Sequence, residues 1–243
     1  MNDTVSARDQ ILGTIRMAKA SQAKDTQSPD TQSPDERIAA KRRGTIPARV
    51  DKDHPALVEL FVEHATALSA TVARVDDAAA VPGAVADYLA GENLPAAVRA
   101  APDPTLQALP WDARPALTVS YGRSHGADEV SLTPAFAAVA ETGTLMLRSG
   151  ADHPTTLNFL PDTHVVVLRA SQVVGPYEEA WDQLRKTGPI PRAVNFVSGP
   201  SRTADIEQTI QLGAHGPRRL HIILIEDGPL AVHGAGSGGR DGG

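Results

Sequence analysis

The sequence predicts an α/β protein whose mostly parallel sheet carries helices on both faces. Over the last third of the chain, apolar runs alternate with helical patterns in the order strand, helix, strand, helix, strand, which is typical of parallel βαβ units. Hydrophobic residues make up 41% of the 243 residues and aromatic residues only 4%, so Ala, Val, Leu and Ile must fill the core. Such a core favours helix-on-sheet packing. Before residue 70, apolar residues recur at helical spacing in several segments, which indicates a helical N-terminal extension.

The N-terminal extension, residues 1–69, is divided by a low-complexity segment at 20–36. Apolar residues at helical spacing predict helices at 4–19, 37–43 and 55–69. The segment contains the tandem repeat TQSPD-TQSPD, and no apolar residue lies between Lys24 and Glu36. This composition is typical of a mobile linker.

An α/β domain is predicted from residue 70 to residue 229, and a flexible Gly-rich tail from 230 to 243. Short apolar runs predict strands at 71–75, 97–99, 117–120, 130–132, 144–147, 163–168, 193–197 and 220–225. Helical spacing predicts helices at 82–90, 134–140, 177–186 and 206–212. The run at 163–168 is the clearest strand, since His164 is followed by an unbroken series of Val and Leu.

Charge and composition exclude several classes of protein. The formal net charge of -6 argues against a general nucleic-acid binder or a binder of anionic membranes, because both need a basic face. The apolar runs are too short to span a bilayer and the N-terminal residues do not form a secretory signal, so we expect a cytoplasmic protein without membrane insertion.

The residue types also exclude a resident metal or cluster. The chain has no cysteine, which removes disulfides, thiolate nucleophiles and cysteine-ligated iron–sulfur clusters. Its eight histidines lack the spacing of a metal site. We therefore expect neither a metal nor another cofactor bound to this chain.

One candidate binding turn follows the strand predicted at 193–197. A helix beginning after the turn would direct backbone N–H groups and its positive end at an anion, and Arg202 offers a planar fork for a carboxylate or phosphate. The alternative is that Ser201 or Thr203 only caps the helix, since Asp205 and Glu207 would repel an anion. The candidate ligand-binding residues here are Ser198, Gly199, Ser201, Arg202, Thr203 and, after the helix, His215.

A second turn, at 140–144, lies between a predicted helix and a predicted strand. Glu141 is the best candidate for a general base or nucleophile, Gly143 permits close approach of the backbone to a ligand, and Thr142 and Thr144 offer hydroxyl groups. The same residues also fit an ordinary connection with a solvated glutamate. A polar loop after the next strand, with Arg148, Asp152, His153 and Asn158, fits either a ligand site or a plain surface loop.

The segments Ala140–Thr144, Ser198–Glu207 and His215–Pro217 together resemble the LUD-domain family, in particular its short lactate-utilization branch. The resemblance runs from about Ala70 to Asp227 and leaves out the repeat and the tail. It implies the fold of the NagB/RpiA/CoA-transferase-like proteins. It also implies a role in the oxidation of L-lactate to pyruvate beside iron–sulfur partner proteins, which would hold the clusters that a cysteine-free chain cannot hold.

Two interpretations of function remain open at this point, besides a scaffold or regulatory protein whose pocket has lost its chemistry. In the first, the chain is a non-redox subunit of a lactate-oxidation system and binds a small carboxylate or phosphate at the 198–207 turn, with Glu141 and Thr142–Thr144 as the facing wall. In the second, the chain is a stand-alone CoA-transferase- or isomerase-like enzyme with Glu141 as nucleophile or base, a hypothesis that depends on fold analogy. The sequence does not decide whether this chain is itself catalytic.

Overall fold

The structure, a computed structural model, describes residues 8, 11–17, 33, 36, 40, 43–203, 211–213 and 215–226. The chain divides into two units, Met1–Gly44 and Thr45–Gly243. In the first unit, residues 11–17 are helical, in agreement with the helix predicted at 4–19. Most of the low-complexity segment and all of the Gly-rich tail lie outside the described residues.

Twelve strands are described in the second unit, and they form three sheets. Their bounds are β1 Thr71–Val75, β2 Ala97–Ala100, β3 Thr118–Tyr121, β4 Val130–Pro134, β5 Ala137–Val139, β6 Thr144–Arg148, β7 Thr163–Arg169, β8 Val173–Val174, β9 Val194–Val197, β10 Arg202–Thr203, β11 Gln211–Leu212 and β12 Arg219–Ile225. The largest sheet has the order β1-β12-β7-β4-β2-β3, and all its neighbouring strands are parallel. A mixed sheet has the order β8-β5-β6-β9, and β10 pairs with β11 in an antiparallel ladder.

The described helices of the second unit are α1 His54–Ala67, α2 Val81–Gly91, α3 Pro104–Gln107, α4 Thr156–Phe159 and α5 Tyr177–Lys186. Short 3-10 helices occur at Ala48–Val50, Ala78–Ala80, Trp111–Ala113 and Ala170–Gln172. Helix α1 begins where the Asp53 carboxylate accepts a hydrogen bond from Ala56 N at 3.1 Å, an N-cap that satisfies one of the free amides of the first turn.

The central strands are buried on both faces, which explains their continuous apolar sequence. In β7, Val166 and Leu168 belong to one core cluster with Phe61 of α1 and residues of the mixed sheet. Their neighbours Val165 and Val167 belong to a second cluster on the opposite face, with residues of α2, α3 and α4. A third cluster lies between the mixed sheet and α5. The prediction of a mostly parallel sheet with helices on both faces is therefore confirmed.

The second compact unit begins before the first strand. It runs from Thr45. Its start includes α1, because Phe61 and Ala65 of that helix are almost completely buried in the core.

The helix predicted at 134–140 is wrong. Pro134 ends β4, and Ala137–Val139 form β5, which pairs with β6 on one side and with β8 on the other. Three neighbouring residues, Ala137, Ala138 and Val139, are completely buried. Strand pairing and burial at the centre of a sheet thus override the helical propensity of an Ala-rich segment.

Two glycines bring the turns of the candidate motifs against α1. Gly143 has φ +63°, and a Cβ atom there would lie 2.4 Å from Ala65 N. Gly199 has φ +78°, and a Cβ atom there would lie 2.4 Å from the carbonyl oxygen of Leu68. Both backbones therefore approach the helix more closely than any side chain allows.

Replacing Gly143 with alanine should destabilise the fold by about 2–5 kcal/mol, because a left-handed backbone angle and a clash with the α1 backbone act together. The free energy of unfolding from chemical denaturation measures the effect. Gly126→Ala is the matched control, since Gly126 has φ +90° with nothing within 4 Å of the added Cβ. It should cost only about 1–2 kcal/mol. Equal losses for the two variants would show that the contact with α1 is unimportant.

Candidate functional site

The two sequence motifs meet in a network of hydroxyl groups. Thr142 Oγ1 lies 2.7 Å from Thr144 Oγ1 and 2.8 Å from the hydroxyl of Tyr177. Thr144 Oγ1, which is completely buried, lies 3.0 Å from the same tyrosine hydroxyl and 2.6 Å from Ser198 Oγ. The network links the turn before β6 to the end of β9. The structure thus brings Thr142 and Thr144 close to Ser198.

A cavity of about 190 Å³ lies beside this network, at the amino ends of β7 and β12. The turn Ser198–Ser201 and the segment His215–Pro217 form its walls, together with Phe159 and Phe196. Its volume corresponds to roughly six water molecules at ~30 Å³ each. We call it the His164 cavity, after the histidine of β7 that lines it.

Backbone pairing holds the two walls together. Ser201 N donates to Pro217 O at 2.8 Å, and Gly213 N donates to Ser201 O at 3.0 Å. Ser201 Oγ accepts a hydrogen bond from His215 N at 3.3 Å. These contacts place the exposed His215 at the cavity. Ligand binding by His215 stays a prediction.

His164 is completely buried, yet only one of its two ring nitrogens has a partner among the described residues. Nε2 lies 2.7 Å from Thr133 Oγ1, while Nδ1 has no hydrogen bond. Burial lowers the pKa of His164 from 6.5 to about 3, so the imidazole is neutral at pH 7. An unsatisfied buried nitrogen is costly to the fold, so Nδ1 is an exception among the buried polar groups of the described residues.

Glu141 lies outside the lining of the His164 cavity. Its carboxylate forms an ion pair with Arg49 at 3.1 Å, and its side chain is 15% exposed. Its backbone N–H donates to Gly175 O at 3.1 Å. The structure therefore separates Glu141 from Ser198, Gly199, Ser201 and His215, which line the cavity.

Arg202 points toward the end of α1. Its guanidinium donates to the carbonyl oxygen of Leu68 at 2.7 Å and to Ser69 Oγ. Leu68 is the C-cap of α1, where carbonyl groups lack partners within the helix and a cation is favourable. The guanidinium of Arg202, which the sequence analysis assigns to an anionic ligand, binds the C-terminus of α1.

The helix predicted at 206–212 is wrong at its end. Gln211 and Leu212 form β11, which pairs with Thr203 and Arg202 of β10. Residues 204–210 lie outside the described residues. The described residues of this segment form no helix N-terminus that could bind an anionic ligand.

The comparisons with known proteins agree on one family. The model of the LUD domain matches residues 123–225. "Lactate utilization protein C" of Deinococcus radiodurans is 34% identical over 149 residues, which cover 61% of this chain and 70% of that protein. The chain belongs to the LUD-domain family.

Other relatives of the LUD domain agree with this assignment. "Lactate utilization protein C" of Geobacillus thermodenitrificans is 34% identical over 116 residues, which cover 44% of this chain and 48% of that protein. The chain matches less than half of the length of this relative and of three others with the same name. A crystal structure of a DUF162 family protein from Deinococcus radiodurans matches with a TM-score of 0.56 and 27% identity, and covers 72% of this chain and 99% of that one. This match supports the α/β fold.

Two residues of the site were not among the predicted ligand-binding residues. His164 was assigned only to a strand, and Tyr177 only to a helix. A histidine inside an otherwise apolar strand is a signal that could have identified the first, because a buried imidazole needs partners. No local signal identifies Tyr177, whose contact with Thr142 and Thr144 depends on how α5 packs on the mixed sheet.

Within the described residues, no group of three or more His, Asp or Glu side chains is placed to hold a metal ion. The described helices include none that is both long enough and apolar enough to cross a membrane.

Acid should destabilise the LUD domain through two buried histidines. The pKa is lowered from 6.5 to about 3 for His164 and to about 4 for His221, in both cases by burial. The unfolded chain binds these protons below pH 6.5, whereas the folded chain does not, so stability is lost as pH falls from 6.5 toward 4 and 3. At pH 5 the loss is about 2 kcal/mol per histidine.

Denaturant unfolding of the native protein and of His164→Gln at pH 7 and pH 5 tests this effect. The variant should lose about 2 kcal/mol less between the two pH values than the native protein does. His221→Gln is a second variant with the same expected sign. Identical pH dependence in all three proteins would contradict the assignment.

Arg202→Ala should lower the free energy of unfolding by about 1 kcal/mol, because the exposed guanidinium stabilises the α1 terminus through solvent-screened hydrogen bonds. Arg123→Ala, at another exposed arginine, is the control. If the two variants are equally stable, the contact of Arg202 with α1 contributes nothing measurable.

Proposed function

We propose that this protein acts in lactate utilization as a cysteine-free component that binds a small hydroxy or oxo carboxylate in the His164 cavity. The names of the relatives support the process, since several of them are called "Lactate utilization protein C". The observation that carries the ligand site is a cavity formed by two of the family motifs and lined by the hydroxyl-bearing residues Ser198 and Ser201 and by the exposed His215.

The size of the cavity favours a small ligand. A volume of about 190 Å³ is below the range of about 300–1,000 Å³ that is usual for drug-sized ligands. Ser198, Ser201 and His215 lie at its wall, and the solvent-exposed side chains of Phe159 and Phe196 add an apolar surface. A three-carbon acid can use the hydroxyl groups for its carboxylate and can contact the aromatic rings through its methyl group.

The charge balance of the cavity supports hydrogen bonding over ion pairing. Among the described lining residues there is no Asp, Glu, Lys or Arg. A bound carboxylate would therefore be stabilised by hydrogen-bond donors, such as the hydroxyl groups of Ser198 and Ser201.

The redox step is proposed to take place in iron–sulfur partner proteins. A chain without cysteine supplies no ligands for a cysteine-bound cluster, so electrons from L-lactate would have to pass to other subunits as pyruvate forms. We propose a cytoplasmic assembly in which this protein presents or positions the acid.

Ser198→Ala should weaken binding of L-lactate or pyruvate about three- to tenfold, because one hydrogen bond to the ligand is lost. Isothermal titration calorimetry measures the dissociation constant, and a rise in Tm with ligand gives an independent readout. Ser120→Ala is the matched control, since Ser120 lies on β3 and its hydroxyl donates only weakly, at 3.4 Å, to Val98 O. Equal affinity of the two variants would argue against the His164 cavity.

Affinity capture of the tagged full chain from lactate-grown cells tests the partner proposal. Stoichiometric iron–sulfur proteins, identified by mass spectrometry and iron content, are the expected result. A chain that is captured alone would contradict a permanent assembly. Covalent labelling of Glu141 by an acyl-CoA would replace the proposal with the CoA-transferase-like alternative.

A further inference from the structure

A second cavity, of about 220 Å³, lies at the opposite end of the parallel sheet. Its lining includes Pro134, Arg169 and Ile225, which are the last residues of β4, β7 and β12. Open α/β sheets bind their ligands outside the carboxyl ends of the strands. We call it the Arg148 cavity, because Arg148 at the end of β6 also lines it.

A carboxylate–imidazole pair lies in the wall of the Arg148 cavity. Asp103 is only 7% exposed, and its Oδ1 accepts a hydrogen bond from Thr105 N at 2.8 Å. Its other oxygen, Oδ2, lies 3.4 Å from Nε2 of His153. Because the backbone fixes the carboxylate, its negative charge close to Nε2 favours the tautomer with hydrogen on that nitrogen. The remaining nitrogen, Nδ1, is then a proton acceptor.

Arg148 supplies a cation that is not committed to another group. Its guanidinium carbon lies 5.5 Å from the centre of the Phe136 ring, a cation–π contact that leaves the N–H groups at the edge of the fork available. In the part of the chain that the structure describes, it has no hydrogen-bond or ion-pair partner. Such a fork suits a carboxylate, and Arg169 adds a second positive charge to the lining.

The surroundings of His153 keep it neutral while no anion is bound. Burial and the positive charge of Arg148 lower the pKa of His153 against the opposing effects of Asp103 and Asp152. Arg169 is the other charged group of the lining. A ligand anion on Arg148 would remove the largest charge effect that opposes protonation of His153.

We propose that the Arg148 cavity is a second ligand site, in which Arg148 binds a small carboxylate and His153, which lies next to Asp103, takes up a proton as the ligand binds. The proton comes from solvent and forms an N–H bond on the imidazole, and no bond of the ligand breaks. The site is independent of the His164 cavity and does not depend on the lactate-utilization proposal. It would place an acid–base pair next to a bound organic acid.

Calorimetric titration of the full chain with pyruvate tests the site, in a Ser198→Ala background that weakens the His164 cavity. Proton uptake follows from titrations in two buffers of different ionisation enthalpy. We expect affinity to rise as pH falls from 8 to 6, by up to tenfold per pH unit, with uptake approaching one proton. Inorganic phosphate and chloride, as sodium salts, serve as comparison anions.

Separate variants test carboxylate binding by Arg148 and proton uptake by His153. Arg148→Ala should weaken pyruvate binding about 10- to 100-fold, and Arg148→Lys should restore only part of it, because the charge returns without the fork. His153→Asn should still bind pyruvate, but without proton uptake. Arg185→Ala is the matched control, since Arg185 also stacks on an aromatic ring, at 5.8 Å from Trp181, but lies outside the cavity.

Circular dichroism and Tm establish that each variant is folded. Native-like pyruvate affinity in folded Arg148→Ala would overturn the site, as would undiminished proton uptake in His153→Asn. Equal competition by chloride and pyruvate would also overturn it, because it would show general charge attraction without a specific carboxylate site.

Discussion

The close contact between α1 and two left-handed turns is the constraint on which the candidate site depends. Gly143 and Gly199 lie against the helix at distances that only a residue without a Cβ atom allows. His64 Nδ1 donates to Ala140 O at 2.9 Å, so a side chain of α1 also fixes the turn before β6. Through these contacts α1 sets the separation of the β5–β6 turn and the β9 end, and the hydroxyl network forms between them.

This arrangement divides the residues of the two motifs into two groups. Gly143, Gly199 and Arg202 contact the α1 segment and hold the two turns against it. Ser198, Ser201 and His215 remain at the cavity, where a ligand can reach them. A short motif therefore combines structural and binding residues. A loss of function in a variant of the first group would show that the turns must be held against α1. Only variants of the second group test contact with a ligand.

The period of apolar residues was sufficient to predict those helices and strands whose buried residues recur at regular spacing. The sequence predicted β1 and α5 with the bounds that the structure has, and placed β7 within one residue, because a doubly buried strand and an amphipathic helix have distinct periods. It failed at 134–140, where pairing with two strands decides the structure of an Ala-rich segment, and at Gln211–Leu212, which pair with β10. The partners of Arg202 and Glu141 could not be predicted either. They lie 134 and 92 residues away in the chain, and only the tertiary fold brings them together.

The two cavities occupy opposite ends of β7 and differ in their electrostatics. His164, near the start of the strand, has apolar and hydroxyl-bearing neighbours, and burial keeps its imidazole neutral. At the carboxyl end, Arg148 and Arg169 line a cavity whose imidazole has a carboxylate partner. A desolvated anion requires compensating charge or several donors. A bound carboxylate would therefore be stabilised by guanidinium charge at the carboxyl end and by hydrogen-bond donors in the His164 cavity. A single strand thus connects two environments that would stabilise the same class of acid by different means.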